Sequence, residues 1–420
     1  MPPEEFRRHA HTLVEWAAGY FEQIETHAVL SQVAPGDVHR SLPERAPEIP
    51  EPFEAIIADL DRIILPGVTH WNHPGFFAYF AITGSAPGVL AEFLAAALNA
   101  QAMLWRTSPA ATELEEVTLG WLRDLMGLPS TFEGVIYDTA SIGSLHALAA
   151  AREAAVPSVR ALGLADRADL KPLRVYSSEQ AHSSIDKAVM LIGLGHTSLH
   201  KIATDEKLQM RPDALRAAIA TDRADSLVVN PHKWLFTPFD LSAFYCRRMD
   251  VVRAAFSLVP EFLKTTEAAE VRNLMDTGIQ LGRRFRALKL WTVLRYFGAE
   301  GIRRRLSEHM RLARLFAGWV DEHADFERLA PVPFSVVCFR AKPREGGWSD
   351  ASLNRLNEQI LDLANASGEI FLSHTRLDGR FVLRLAIGHL RTTERHVQRA
   401  WEILQDSARR IASSGLSHEP

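Results

Sequence analysis

The sequence predicts an α/β protein: a large domain built on a mainly parallel sheet, with a helical segment before it and a smaller α+β domain after it. Three observations predict this. From about residue 86, helical periods alternate with short apolar runs, as strand–helix–strand units require. The run Leu227 to Val229 ends at Asn230-Pro231, where proline stops sheet pairing and delivers His232 and Lys233 at the strand's end. After residue 300, longer helices with isolated strands replace the alternation.

Each element follows from local pattern. Leu13, Trp16, Ala17, Tyr20, Phe21 and Ile24 form an apolar stripe at helical spacing. A proline-rich stretch from Pro35 to Pro52 reads as an extended arm. Phe53 to Leu65 reads as a helix stopped by Pro66-Gly67. These two helices have apolar faces to bury, either on the chain's own body or around a second subunit. In the large domain, Leu90–Ala102, Thr112–Met126 and Ser144–Ala155 read as helices. Val135–Tyr137, Leu173–Tyr176 and Leu227–Val229 read as strands, and Asp213–Ala220 as a further helix. A helical run covers Phe285–Phe297. Then follow helix Ile302–Glu322, strand Ser335–Arg340, helix Ala351–Ala366, strand Phe381–Ala386 and helix Glu394–Asp406. The expected division is residues 1–85, 86–300 and 301–420.

Composition narrows the function classes. Lys and Arg total 47 against 51 Asp and Glu, a formal charge of −4, which gives no electrostatic reason to expect nucleic acid. The most apolar stretch, Val89 to Ala97, is short and interrupted by Glu92, so no membrane span is expected. Met1 to Glu5 carries no export pattern, and Cys246 and Cys338 read as free thiols; both point to the cytoplasm. His9 with His11, and His70 with His73, lack the companions of a metal site.

Chemistry concentrates in Ser226 to Trp234. Ligand sites of α/β sheets lie outside the carboxyl ends of strands. A partly buried lysine there, beside His232 and Trp234, suits Schiff-base chemistry. Thr139-Ala140-Ser141 lies between a strand and a helix start, where hydroxyls and backbone N–H groups suit a phosphate; simple helix capping is the plainer use of such residues.

Asn230-Pro-His-Lys-Trp234 resembles the cofactor-lysine motif of the group II pyridoxal-phosphate-dependent amino-acid decarboxylases, the aromatic-amino-acid type. Four further blocks resemble that family in order: His70 to Phe80, Trp105 to Glu115, Gln180 to Ser184, and Leu281 to Trp291. The resemblance implies pyridoxal 5′-phosphate (PLP) as cofactor, the fold type I architecture, and a homodimer that exchanges its N-terminal flap. It implies a carboxy-lyase acting on an aromatic L-amino acid. Lys233 would bond to the cofactor, and Thr139, Ala140, Ser141, Ser226, Asn230 and His232 would hold its phosphate and position it. His182 would stack on its ring and face the substrate carboxylate. Trp71, Tyr79, Phe80 and Met103 would line the side-chain pocket.

Two departures stand out. Phe262 occupies the place of a loop tyrosine that delivers a proton in the family. In plant relatives, phenylalanine there goes with oxidative production of an aromatic aldehyde instead of an amine. Secondly, the chain runs from Ala220 directly to Ser226, near 221–225, where the family carries a further strand–helix–strand unit of roughly sixty residues. The aspartate that pairs with the pyridine nitrogen belongs to that unit. Its loss predicts open sheet edges and leaves a catalytically impaired remnant as a further reading.

Overall fold

The computed structural model describes residues 1–80, 82–156, 158–205, 208–210, 226–258, 271–344 and 347–413. They divide into two compact units, one of residues 84–304 and one of residues 1–83 with 305–420.

The unit 84–304 opens with helices Ala86–Leu98 and Pro109–Leu125. The second starts where Ser108 accepts the Ala111 N–H (3.3 Å) and Pro109 takes the first helical position, which needs no N–H. Five strands follow: β1 Glu133–Tyr137, β2 Val175–Ser178, β3 Leu199–Ile202, β4 Ser226–Val229 and β5 Ser242–Cys246. Helix Ala140–Ala155 follows β1, Ser184–Leu191 follows β2, and the single turn Pro231–Trp234 follows β4. The predicted strand near Leu173 lies two residues later, and the helix predicted from Ser144 already begins at Ala140. The expected helix Asp213–Ala220 falls outside the described residues.

Among the described residues these strands form two sheets. β2 and β3 pair in parallel. β5 lies between β1 and β4, antiparallel to both, so β1 and β4 run the same way with one reversed strand between them. The alternation predicts a mainly parallel sheet but gives no hint of β5. Its five residues are all buried, and a continuous apolar run has no period to betray it.

Among the described residues, β4 has a partner on one side only. Its residues are half-buried or exposed, with Leu227 at 39%, whereas β5 is buried throughout. β1 is the other edge of this sheet among the described residues.

The other unit holds β6 Phe326–Arg328, β7 Val336–Ala341, β8 Ser373–Leu377 and β9 Arg380–Ala386, antiparallel in the order β6-β7-β9-β8. Helices Asp350–Asn365 and Glu394–Ser413 complete it. Its core gathers Phe316, Phe339, Leu383 and Trp401, with the Trp401 ring 5.5 Å from Phe316 and 4.9 Å from Phe326. Chain from the N-terminal segment enters this core. Phe77 is fully buried, donates its N–H to the Phe371 carbonyl (2.8 Å) and accepts the Ala386 N–H (2.9 Å). The helical stripe near the start is the helix Pro3–Glu22, and the arm 35–52 contains one short helix, Asp37–Ser41. The two helices expected either side of residue 300 are one run, Ala287–Glu322. It is broken only at Gly298, whose φ of +63° is costly for any residue with a Cβ.

Candidate active site

Sheet register brings two functional turns to one end of the β1–β5–β4 sheet. Tyr137, the last residue of β1, faces Ser242, and Val229, the last of β4, faces Ala243. Asn230 therefore comes level with Ser242, whose hydroxyl donates to the Asn230 carboxamide oxygen. Neighbouring strands lie about 4.8 Å apart, so the chain exits of β1 and β4 are ~10 Å from each other. Asp138 to Ser141 continues from one exit, and Pro231 to Trp234 from the other.

At the first exit, Thr139 precedes the sixteen-residue helix Ala140–Ala155 and makes no side-chain capping bond. The first helical hydrogen bond runs from Gly143 N–H to the Thr139 carbonyl (3.1 Å). The N–H groups of Ala140, Ser141 and Ile142 thus have no acceptor within the helix, and they sit at the positive end of its dipole. Asp138 is committed beside them: one oxygen accepts the Thr139 N–H (2.7 Å) and the other the Gln280 side-chain amide (3.1 Å).

At the second exit, Lys233 is half-buried, and its Nζ has no hydrogen bond or ion pair among the described residues. His232 beside it is 3% exposed, and its Nδ1 accepts the Leu241 N–H (3.1 Å), which places the ring proton on Nε2. Burial holds this imidazole down at about 4, and the neighbouring Lys233 charge adds to the effect. His232 is therefore a neutral donor at physiological pH. The turn is fastened from behind by Arg286, which clasps Asp240 with two bonds (3.1 and 3.0 Å). Lys289, buried in the first turn of the helix Ala287–Glu322, pairs with Glu92 and lies 3.9 Å from Asp240. Burial pushes the Lys289 amine below its ordinary range and Glu92 opposes the shift.

One buried pair ties these segments together. Arg283 and Glu115 are 7% and 2% exposed and meet at 2.9 Å. Arg283 also donates to the carbonyls of Ile136 (2.6 Å) and Ala102 (3.2 Å), while Glu115 accepts the Ile136 N–H (2.9 Å). The arginine thus holds the last turn of β1 and the chain beside Met103. Met103 itself packs on Leu104 and Met275.

The other sequence-predicted residues have local settings of their own. His182 is exposed in the turn after β2, its Nδ1 accepting the Ser184 N–H (3.1 Å), with no hydrogen bond to either functional turn. Ser226 begins β4, at the opposite end from Asn230, and lines a cleft of about 440 Å³ with Phe244 and alanines of helix Ala140–Ala155. Trp71 and Tyr79 belong to the other unit. There Trp71 stacks on Phe76 (4.4 Å) and Tyr79 (5.9 Å), and Tyr79 meets Phe371 edge-on (5.9 Å). Tyr79 has a φ of +50°, its N–H bonds the Ser373 hydroxyl (3.0 Å), and the residue is 54% exposed. Phe80 beside it is half-buried, and Phe262 falls outside the described residues. Cys246 and Cys338 form no disulfide, and no His, Cys, Asp or Glu cluster fit for a metal exists among the described residues. No helix among them is long and apolar enough to cross a membrane. Sequence reasoning missed Asp138, Ser242, Asp240 and the clasp of Glu115 with Arg283. Glu115, Arg283 and Arg286 sit inside the recognised blocks, yet charges at helical spacing look like solvated faces until burial is known.

The sequence model of the pyridoxal-dependent decarboxylase conserved domain matches residues 35–223 and 220–342. This chain belongs to that family. Phenylacetaldehyde synthase of Arabidopsis thaliana is 36% identical, with 97% of this chain and 96% of the relative covered. Tryptophan decarboxylase 2 of Oryza sativa subsp. japonica is 34% identical over 98% and 96%. Among solved structures, Catharanthus roseus tryptophan decarboxylase in complex with L-tryptophan superposes with a TM-score of 0.89 at 30% identity, covering 98% and 99% of the two chains. The fold of this decarboxylase-family chain is therefore fold type I. The two matched pieces of the family domain meet at 220–223. The Arabidopsis alignment spans 481 positions although the chain has 420 residues, so a segment of the relative has no counterpart here.

The family's cofactor is pyridoxal phosphate, and the two turns suit its two ends: unpaired N–H groups at a long helix start for the phosphate, and Lys233 for the aldehyde. The ring nitrogen fares differently. Asp138 and Asp240, the acids flanking the two turns, are both engaged with other partners.

Proposed function

We propose that this chain holds pyridoxal 5′-phosphate on Lys233 and removes the carboxyl group of an aromatic L-amino acid, giving CO₂ and the amine. The observation that carries the proposal is the shared sheet end of Thr139–Ser141 and Asn230–Lys233, fixed by the Tyr137–Ser242–Asn230 register. Bound there, the cofactor supplies an electron sink for the pair left when CO₂ departs. The chain's own part is to orient. The N–H groups of Ala140 and Ser141 hold the phosphate, Ser242 fixes the Asn230 carboxamide, and neutral His232 offers an Nε2 proton donor. Ser226, at the other end of β4, lies too far along the strand to join them. His182 is assigned to the substrate carboxylate and Met103 to the aromatic side chain. The named relatives, a phenylacetaldehyde synthase and a tryptophan decarboxylase, support the substrate class.

The working form is a cytoplasmic homodimer. Helix Ala86–Leu98 leaves Leu90, Phe93, Leu94 and Leu98 at least half exposed, a stripe wide enough for a second copy to cover. Light scattering should report twice the chain mass of 46.9 kDa.

Phe262 favours a second reading, the aldehyde synthase. Here the carboxyl group leaves as CO₂ and the nitrogen as ammonia, water supplies the aldehyde oxygen, and dioxygen is reduced to hydrogen peroxide. A third reading is an impaired remnant, favoured by the break at 220–223. The deciding experiment is an absorbance spectrum with added PLP, before and after borohydride, beside Lys233→Ala. A visible band that borohydride removes, absent from the variant, is expected; amine is then assayed against peroxide plus ammonia. No band overturns the cofactor assignment and leaves the remnant.

A further inference from the structure

Two consecutive residues, Leu241 and Ser242, grip the turn that carries Lys233. The Leu241 N–H donates to His232 Nδ1 (3.1 Å), and the His232 N–H returns to the Leu241 carbonyl (3.4 Å). The Ser242 hydroxyl donates to the Asn230 carboxamide oxygen, and the Lys233 N–H donates to the Asn230 carbonyl (3.0 Å). Lys233 is thus bracketed by partners fixed from the start of β5. Leu241 and Ser242 are fully buried and uncharged, so their place depends on what holds the chain just before them. Asp240 does this. Its two oxygens accept separate bonds from Arg286, a fork that a carboxylate takes at both atoms and a carboxamide at only one. Lys289 stands 3.9 Å from the same carboxylate and is itself held by Glu92. Helix Ala86–Leu98 presses on this loop as well, since a Cβ at Gly88 would come within 2.4 Å of the Pro238 ring. The rigid peptide plane between Asp240 and Leu241 carries the N–H that His232 accepts.

We propose that Asp240 is a positioning residue for the cofactor turn: clasped by Arg286 and Lys289, it aims the Leu241 N–H at His232, keeps the ring proton on Nε2 and sets the place of Lys233. An imidazole takes the tautomer that its hydrogen bonds select. Without the clasp, Nδ1 loses its aimed donor and the proton distributes over both nitrogens. The effect on PLP rests on the function proposed above; the effect on the His232 tautomer does not.

The test compares the full chain with Asp240→Asn, which keeps the shape and removes the charge. Asp250→Asn, which breaks an exposed pair with Arg248, is the control. Nitrogen NMR of histidine-labelled chain at neutral pH, without cofactor, reads the tautomers, and His232→Gln marks the signal. The unaltered chain and Asp250→Asn should carry the His232 proton on Nε2 alone, and Asp240→Asn should show both tautomers. PLP titrated by fluorescence should bind Asp240→Asn roughly tenfold more weakly or worse, because a small misplacement of a bonding group is costly, and Asp250→Asn without change. Circular dichroism checks the fold. If Asp240→Asn does not fold, Arg286→Lys, which keeps the charge and gives up the paired donors, is read in its place by the same criteria. A folded clasp variant that keeps the pure Nε2 tautomer overturns the proposal, and so does one that binds PLP as the unaltered chain does. If the unaltered chain binds no PLP, the cofactor reading fails and the tautomer alone decides this inference.

Discussion

The molecule contains two kinds of sheet. In the unit 1–83 with 305–420, β6, β7, β9 and β8 pair without interruption, and β9 is buried at five of its seven residues. In the unit 84–304, five strands fall into a set of three and a set of two, and β4 has no fully buried residue. The difference teaches where each unit draws its cohesion. The continuous sheet is held by aromatic packing around Phe316 and Trp401. The divided one is held by ionic clasps, Glu115 with Arg283 beside β1 and Asp240 with Arg286 beside the turn after β4.

That contrast can be broken by substitution. Phe316→Ala should cost ~3–5 kcal/mol, because its fully buried ring leaves a cavity in a core that cannot collapse around it. Urea unfolding followed by amide exchange in β7 and β9 reads this loss, and under 1 kcal/mol would show the aromatic core to be incidental. Arg283→Met should destabilise the other unit by about 3–5 kcal/mol, since Glu115 is left as an unpaired buried charge. Adding Glu115→Met to it should recover part of the loss, whereas simple additivity of the two would deny the pairing.

Acid should separate the units as well. Burial holds His73 and His309 at about 4 and His389 at about 3 in the unit with the continuous sheet, and His146 and His232 at about 4 in the other. An unfolded histidine takes its proton near 6.5. The native state therefore binds fewer protons between these values, and stability present above about pH 6.5 is lost as pH falls toward 4. The urea midpoint should drop between pH 7 and pH 5, first in the unit with three such histidines; a flat profile would contradict the assignment. The smallest effect is expected at the open edge, where Leu227→Ala should change stability by less than about 1 kcal/mol.

Much of this was legible in the sequence for physical reasons. The Asn230 to Trp234 string, the helix after Thr139 and the long C-terminal helices carry strong local signals: a proline stop, a cap position, a sustained 3.6-residue period. β5 was not legible, because Ser242–Cys246 is buried at every residue and shows no alternation, and neither were β3 and β8, four and five residues long. The clasps were hidden because an ion pair between residues 168 positions apart leaves no trace in either neighbourhood. The shortened region near 221–225 could be read as missing length. That β4 has one partner among the described residues follows only from the strand pairings.

The Arg283 clasp also sets an order of assembly on the ribosome. Glu115 and the end of β1 are translated well over a hundred residues before the arginine that completes them. Until then the carboxylate must stay in water, and the turn at Thr139 has no anchor from that side. A nascent chain halted before Arg283 should therefore expose the β1 region to protease, and one released just beyond Arg286 should begin to shield it.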